Sequence, residues 1–230
     1  MVKPKKRASG EVGPDRRDLP RELYVEGGGD RHPTLASECR KAFSKLFEAA
    51  GIEQKPRVIA CGGRKSAYDA FCLALSEARA EVWLLVDAED LPRPPSPSDP
   101  WTHVASRPGD RWAKPSSATD DQLHLMTVCT ETWLLSDRDA LTAVFGPKLD
   151  VNKLPAEGAS LEKKSKAFVY DALAAATKGT PSGEYGKGSH SFKVLAKVRP
   201  TKLRALPWAA RFLDEMGHST SDHIDPEAGR

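Results

Sequence analysis

Residues 82–90, with the sequence VWLLVDAED, form a short apolar run that stops abruptly at acidic residues. Residues 23–30, with the sequence LYVEGGGD, show the same pattern. Each run is too short for a helix, is rich in residues that favour strands, and ends at acidic residues beside glycine or a proline-rich stretch. Both segments are therefore predicted to be buried parallel strands.

Three carboxylates follow these two predicted strands. Glu26 follows the first strand, and Asp87 and Glu89 follow the second, which we expect to lie beside the first. Because one residue separates Asp87 from Glu89, extended backbone would point both side chains the same way. In an open α/β sheet the carboxyl ends of the strands form the crevice in which ligands bind, so we expect the three side chains to converge there. They would repel each other unless a cation lay between them, and oxygen ligands suit Mg²⁺ or Mn²⁺. The sequence therefore predicts a metal site.

The order of the predicted elements defines the fold class. A helix from His32 to Ala50 follows the first strand, residues 58–61 form another strand, and a second helix precedes the strand that ends at Asp87. This β-α-β-α-β order predicts an α/β fold, with a mostly parallel sheet flanked by helices. The remaining predictions are a strand at residues 123–128, helices starting at residues 131 and 137, and then helices only, at about 160–177, 189–198 and 201–216.

Four regions are predicted along the chain: a disordered basic tail at 1–19, an α/β core at 20–136, a helical extension with a basic segment at 137–216, and a disordered tail at 217–230. Within the core, residues 91–116 contain seven prolines and show no apolar period. We expect this segment to be a long surface loop at the rim of the crevice, acting as a lid or a binding loop.

The composition is that of an ordinary globular protein, with 29% charged and 39% hydrophobic residues among 230. No apolar run approaches the length of a membrane span, and no apolar stretch follows the basic N-terminus, so neither a membrane segment nor a secretory signal is expected. The cysteines lack metal-binding spacing, which favours buried thiols in a cytoplasmic protein. They are Cys39, Cys61, Cys72 and Cys129.

Each acidic residue also has an ordinary structural interpretation. A single acid at a strand end is more often a helix cap or a solvated turn residue than a metal ligand. Glu26 departs from this pattern because glutamate is a poor cap and three glycines follow it, so Gly27 and Gly28 are expected to bring backbone amides close to phosphate oxygens. Glu131 is a further candidate metal ligand at a helix start, or equally a partner of that helix's dipole.

A basic segment at residues 178–204 carries seven lysines and arginines against Glu184 alone, and it is expected to hold an anionic substrate. Ser189 is predicted to cap a helix with one basic face, next to a phosphate site at the helix start. The predicted phosphate-binding side chains are Lys187, His190, Lys193 and Lys197. Without interleaved aromatic residues, nucleic acid would be contacted through its backbone, and a solvated basic face is the alternative.

These motifs resemble a known group of proteins. The run Val25-Glu26-Gly27 after one strand, with Asp87-Ala88-Glu89 after another, is similar to the TOPRIM signature of topoisomerases, bacterial primases and OLD-family nucleases. The sequence ETWLLSD at 131–137 and the later Lys187-Gly-x-His190 resemble a largely uncharacterised TOPRIM-like bacterial family, often encoded beside ATPases of the ABC/SMC type. The resemblance covers roughly residues 20–216.

The resemblance implies that Glu26 acts in acid/base catalysis or metal binding, and that Asp87 and Glu89 bind Mg²⁺. The TOPRIM pair is Asp-x-Asp, whereas the pair here is Asp-x-Glu, which keeps the charge and lengthens one side chain. We therefore expect a metal-dependent nuclease acting on DNA or RNA, as the effector of an anti-phage system with an ATPase partner. The alternatives are a catalytically silent module that senses nucleic acid or docks on an ATPase, and a small-molecule phosphohydrolase. A homodimer is left open.

Overall fold

A computed structural model describes residues 19–29 and 32–218 of the chain. It confirms the α/β fold: four strands form one parallel sheet in the order β2-β1-β3-β4. The strands are β1 (Arg21–Val25), β2 (Arg57–Ala60), β3 (Glu81–Asp87) and β4 (Leu123–Met126). The central pair, β1 and β3, consists of the two apolar runs that end at acidic residues.

Helices flank both faces of the sheet. They are α1 (Pro33–Ala49), α2 (Arg64–Glu77), α3 (Pro100–Ser106), α4 (Thr130–Leu135), α5 (Arg138–Phe145), α6 (Lys166–Thr177), α7 (Lys187–Leu195), α8 (Pro200–Leu203) and α9 (Pro207–Gly217). Short 3₁₀ turns lie at Asp120–Gln122, Val151–Lys153 and Ala159–Lys163. Within the described residues, no helix is both long and apolar enough to span a membrane.

Alternate side chains along each strand point to opposite faces of the sheet and so divide the core in two. Leu23 and Leu85 face a core shared with α1 and the helices that follow β4. Tyr24 and Leu84 face a second core, which is covered by α2 and α3. The helices after β4 therefore pack directly on the sheet and belong to its main core.

The three predicted C-terminal helices differ in extent from the observed ones. The helix expected at 160–177 is a 3₁₀ turn followed by α6, whose first turn is capped by Ser165: its Oγ accepts a hydrogen bond from the Phe168 N–H at 3.2 Å. The helix expected at 201–216 is divided into α8 and α9, because Pro207 cannot continue a helix and Leu206 before it is extended.

The helix predicted at 189–198 begins earlier and ends earlier. Its N-cap is Gly186, so Ser189 lies inside α7 and is not the cap. The tails predicted at both ends of the chain lie almost entirely outside the described residues, at 1–18 and 219–230.

The proline-rich segment is not the surface loop that the sequence suggested. It contains α3, and Trp101, Val104 and Trp112 are buried against the second face of the sheet. Their burial fixes the segment to the sheet, because aromatic side chains remove large apolar areas from water. The segment therefore forms a wall beside the strand ends.

Glu162 is buried and accepts hydrogen bonds from the Trp208 N–H at 3.1 and 3.3 Å. Trp208 belongs to the first turn of α9, so this carboxylate satisfies a helix N-terminus. Burial nevertheless raises the pKa of Glu162 to about 7, although the backbone hydrogen bonds lower it. The charged form is therefore less favourable in the folded protein than in the unfolded chain.

We predict that Glu162→Gln flattens the dependence of stability on pH between about pH 5 and pH 8. The folded pKa lies above the unfolded one, so the wild-type protein releases a proton on unfolding in this window and its free energy of unfolding falls as the pH rises. The loss attributable to Glu162 is at most about 3 kcal/mol. Urea denaturation of both proteins at several pH values measures it, and parallel pH profiles would contradict the prediction.

Candidate metal centre

The two acid-terminated strands lie side by side. Strands β1 and β3 pair in parallel with Val25 opposite Leu85, so the residues after them emerge at the same edge of the sheet. One carboxylate oxygen from each of Glu26, Asp87 and Glu89 lies within 4.8 Å of the other two. The predicted adjacency of the strands, and the close approach of the acids that follow them, are confirmed.

Glu26 is held where β1 ends. Its N–H donates to the Leu85 carbonyl at 2.9 Å, and its Oε2 accepts a hydrogen bond from the Asp87 N–H at 3.0 Å. The Arg64 guanidinium lies 3.6 Å from the same oxygen. Burial, and then the charge of Asp87, raise the pKa of Glu26 to about 7, while Arg64 opposes the rise. Glu26 can therefore gain or lose a proton near neutral pH.

Asp87 is almost completely buried at the end of β3. Its Oδ1 accepts hydrogen bonds from the N–H and the hydroxyl of Thr130, at 2.8 and 2.9 Å. Its Oδ2 faces the Lys187 amine at 3.5 Å. Burial raises the pKa of Asp87, and the nearby ammonium of Lys187 lowers it. One carboxylate oxygen is therefore fixed by α4, and the other faces a charge from α7.

Glu89 reaches the cluster by a different route from the one predicted. The sequence suggested that extended backbone would point Asp87 and Glu89 the same way, but β3 ends at Asp87 and Glu89 has a left-handed φ of +69°. Its N–H donates to the Val128 carbonyl at 2.7 Å, and its carboxylate pairs with Lys166 at 2.6 Å. The turn, not strand alternation, directs this side chain.

Three cations face the three carboxylates, and each comes from a different helix. Arg64 of α2 approaches Glu26, Lys187 of α7 approaches Asp87, and Lys166 of α6 pairs with Glu89. Arg64 is shared with Asp110, which it meets at 2.6 Å, so the cations offset only part of the negative charge of the cluster. This partial compensation limits the repulsion that the carboxylates would otherwise suffer.

Arg64 was missed by the sequence analysis. Asp110 accepts two hydrogen bonds from its guanidinium, at 2.8 and 2.6 Å, and the Trp112 ring lies 4.8 Å from the guanidinium carbon. A third hydrogen bond goes to the Asp87 carbonyl. The position of Arg64 in the sequence could have indicated its role, because it is the first residue of α2 after the Gly62-Gly63 turn that follows β2.

Gly27 and Gly28 line the 270 Å³ cavity, but only part of their predicted role remains open. The Gly27 N–H is used by the Gly62 carbonyl at 2.9 Å, contrary to its predicted role as a free donor. Gly28 has a φ of +86°, and a Cβ there would lie 2.9 Å from the Ala60 Cβ and 3.0 Å from the Ala36 Cα. Gly28 therefore permits the close packing of α1 on β2.

Glu131 lies in the first turn of α4 and is fully buried. Its Oε1 accepts a hydrogen bond from the Tyr185 hydroxyl at 2.8 Å, and the Ser191 hydroxyl lies 3.4 Å from the same atom. Its Oε2 is buried and has no hydrogen-bond partner among the described residues. Glu131 lines a 270 Å³ cavity with Glu26 and Asp87, although it is outside the group of three close carboxylates.

Helix α7 contributes less to the site than its sequence suggested. Lys187, Gly188, Ser191 and Phe192 line the 270 Å³ cavity. His190, Lys193 and Lys197 do not line it: the His190 ring packs 4.9 Å from that of Phe145, and its Nδ1 accepts from the Gly186 N–H at 3.0 Å. Lys193 and Lys197 are exposed on the outer side of the helix.

The rest of the basic segment is largely neutralised. Arg199 pairs with Asp137 at 2.7 Å and with Asp139 at 2.6 Å, and Lys202 pairs with Glu157 at 2.5 Å. Ion pairs that form on folding therefore offset much of the positive charge that the sequence showed in this segment. Among the predicted phosphate-binding side chains, the structure brings only Lys187 to the acidic cluster.

The donor set fits a hard divalent cation. Three carboxylate oxygens lie close together, and the Oε2 atom of Glu131 has no hydrogen bond within the described residues, although it lines the same cavity. Mg²⁺ and Mn²⁺ prefer such oxygen ligands. Glu26, Asp87 and Glu89 would hold the ion, with Glu131 nearby.

The fold and the site define an α/β protein with a carboxylate cluster at the carboxyl ends of its central parallel strands. Comparison with protein families matches residues 25–217 to a domain of unknown function, DUF4276, and the chain belongs to this family. The matched residues include every candidate metal ligand. No curated protein and no solved structure gives a significant match.

We predict that Asp87→Asn leaves the fold intact and removes stabilisation by metal. Asparagine keeps an oxygen that can accept the Thr130 hydrogen bonds, and it removes a buried charge. Without metal, the variant should melt at the wild-type temperature or above it. With Mn²⁺ at about 100 times its Kd, the wild type should gain about 2.7 kcal/mol, and the variant far less.

Thermal melts in EDTA and in Mn²⁺ measure both effects. Asp171→Asn, which removes an exposed carboxylate of α6, is the matched control and should respond to Mn²⁺ as the wild type does. If Asp87→Asn melts far below the wild type in EDTA, Asp87 is a structural acid and not a metal ligand.

Proposed function

We propose that this protein is a metal-dependent nuclease that hydrolyses phosphodiester bonds. The observation that carries the proposal is the cluster of Glu26, Asp87 and Glu89, whose oxygens lie within 4.8 Å of one another at the ends of two adjacent strands. Clustered carboxylates of this kind bind the cations that stabilise charge in phosphoryl transfer. The resemblance to TOPRIM proteins supports the same assignment.

Each carboxylate has a role that its surroundings favour. Asp87 and Glu89 would hold the metal, because an oxygen of each lies within 4.8 Å of the other and of Glu26. Glu26 is the general acid/base or a further ligand, and a pKa of about 7 suits proton transfer near neutral pH. When bound, Mg²⁺ or Mn²⁺ supplies Lewis-acid stabilisation of the phosphate charge.

The lysines of the site supply contacts to the substrate. Lys187 lies in the first turn of α7 and its side chain is 56% exposed, so its amine can reach a phosphate bound at the strand ends. The Lys166 amine lies 2.6 Å from Glu89, so it would likewise be close to a phosphate held at the strand ends.

The biological part of the proposal rests on the resemblance alone. TOPRIM-like proteins of this kind are often encoded beside ATPases of the ABC/SMC type. We extend the proposal accordingly to an effector of an anti-phage system that acts with such an ATPase on DNA or RNA.

A second candidate is a catalytically silent module that binds nucleic acid or docks on an ATPase. The observation in its favour is that Arg64, Lys187 and Lys166 already offset part of the charge of the three carboxylates. Such a site limits repulsion without a metal ion. The two candidates differ in whether Mn²⁺ binds and whether phosphodiesters are cleaved.

We predict Mg²⁺- or Mn²⁺-dependent cleavage of at least one substrate in a panel of plasmid, linear DNA and tRNA. Glu26→Gln should lower the rate by a factor of roughly 100 or more, because loss of an acid/base group typically costs that much. The exposed Glu48 of α1 provides the matched control, Glu48→Gln, which should cleave like the wild type. Equal rates for wild type and Glu26→Gln would exclude catalysis at this site.

We also predict that Lys187 contacts phosphate and that Lys193 does not, since only Lys187 lines the acidic cavity. Binding of single-stranded DNA should become less salt-dependent in Lys187→Gln, with the slope of log K against log salt decreasing by about 0.7 for one lost contact. Lys193→Gln, on the outer side of the same helix, is the control. Equal slopes for all three proteins would place the substrate elsewhere.

A further inference from the structure

A second, larger cavity lies beside the candidate metal centre. Its volume is 710 Å³, and its walls come from the segment after β3, from α3 and from the start of α6. Glu89 forms part of its lining and also belongs to the carboxylate cluster. A molecule whose phosphate lies at the metal centre can therefore extend into this cavity.

Three basic side chains line the cavity. Lys166 pairs with Glu89 at 2.6 Å, and Arg107 pairs with Asp90 at 3.1 Å and with Asp110 at 3.2 Å, whereas the exposed Arg93 has no ion pair among the described residues. Glu89 and Asp90 are the acidic residues of the lining, so basic side chains exceed acidic ones by one. The start of α6 also lies in the lining with its positive dipole end. The cavity thus favours an anionic ligand.

His103 adds a polar ring to the lining. It is only 4% exposed, and its Nε2 lies 2.9 Å from the Ala88 carbonyl. A carbonyl only accepts hydrogen bonds, so Nε2 is the donor in this contact. Nδ1 makes no hydrogen bond within the described residues and is left for a polar group of a ligand.

Apolar surface completes the lining. Leu91, Pro108 and Val128 form walls on which a sugar or a base can pack. The volume lies within the range of about 300–1,000 Å³ that is usual for small-ligand sites. A cavity of this size accommodates one or two nucleotides.

We propose that this cavity binds the nucleotide next to the phosphodiester held at the metal centre, and that the ligand is a single-stranded chain. The proposal rests on the proposed nuclease function and deepens it by assigning the substrate class. Lys166, Arg107 and Arg93 contact the phosphates, and His103 forms a hydrogen bond with the sugar or the base. Duplex substrates must first open to enter.

Cavity filling tests the proposal. Ala167 is exposed in the first turn of α6 and lines the cavity, whereas Ala175 is exposed on the same helix outside the lining. Ala167→Trp should weaken the binding of a short fluorescent single-stranded oligonucleotide by roughly tenfold or more, and Ala175→Trp should not. Affinities are measured in Ca²⁺, a hard cation with oxygen ligands, and a duplex of the same sequence should bind more weakly than the single strand.

A charge variant keeps the test decisive if Ala167→Trp does not fold. Lys166→Gln should reduce the salt dependence of oligonucleotide binding, while Lys163→Gln, an exposed lysine outside the lining, should not. A nucleoside monophosphate is tested as a third ligand, besides the single-stranded oligonucleotide and the duplex. If it binds as tightly as the oligonucleotide, the cavity takes a free nucleotide and the single-strand assignment is wrong.

The proposal is overturned if Ala167→Trp, or Lys166→Gln in its place, binds the oligonucleotide as the wild type does, or if duplex and single strand bind equally. Cleavage is measured separately. The wild-type protein could bind the oligonucleotide in the cavity and yet cleave nothing in Mg²⁺ or Mn²⁺. This result would contradict the nuclease function but would support the proposed binding site.

Discussion

Repulsion among three carboxylates at one sheet edge is the constraint on which this structure depends. The parallel pairing of β1 and β3 makes the approach of Glu26 and Asp87 unavoidable, because the residues after both strands emerge at the same edge. Unscreened charges at such short range in a partly buried site are strongly destabilising. The fold meets this constraint with cations supplied by α2, α6 and α7, so the packing of these helices and the chemistry of the site are parts of one arrangement.

Arg64 shows how closely the packing of the helices and the chemistry of the site are connected. Its guanidinium contacts Asp110 and Trp112 of the proline-rich segment on one side, and Glu26 with the backbone of Asp87 on the other. The segment that forms one wall of the larger cavity is therefore fixed by the same side chain that stabilises the acidic cluster. A ligand held in that cavity would meet a wall that is fixed by Arg64, the same side chain that contacts Glu26.

The fold and the acidic cluster could be predicted because their signals are local. Short apolar runs that end at acids identify the central strands, and parallel order then brings Glu26 and Asp87 together. Arg64 and Lys166 could not be predicted, because nothing near them in sequence shows which carboxylate they meet after folding. Glu89 was placed correctly for the wrong reason, since a left-handed turn and not strand alternation directs it. Lys193 was expected to bind phosphate because it lies in a basic segment, but it is exposed on the outer side of α7. The charge of a segment therefore does not show which of its residues reach the site.

Two lysines of the site come from the helices that follow the α/β core, so the core cannot be separated from these helices without losing them. Lys166 and Lys187 both follow β4, in the part that the sequence presented as an extension of the α/β core. These helices also bury one face of the sheet. A fragment that ends at residue 136 would lose two of the three counter-charges and the cover of its main core together. The acidic cluster therefore belongs to the whole chain, and it cannot be transplanted as an autonomous α/β module.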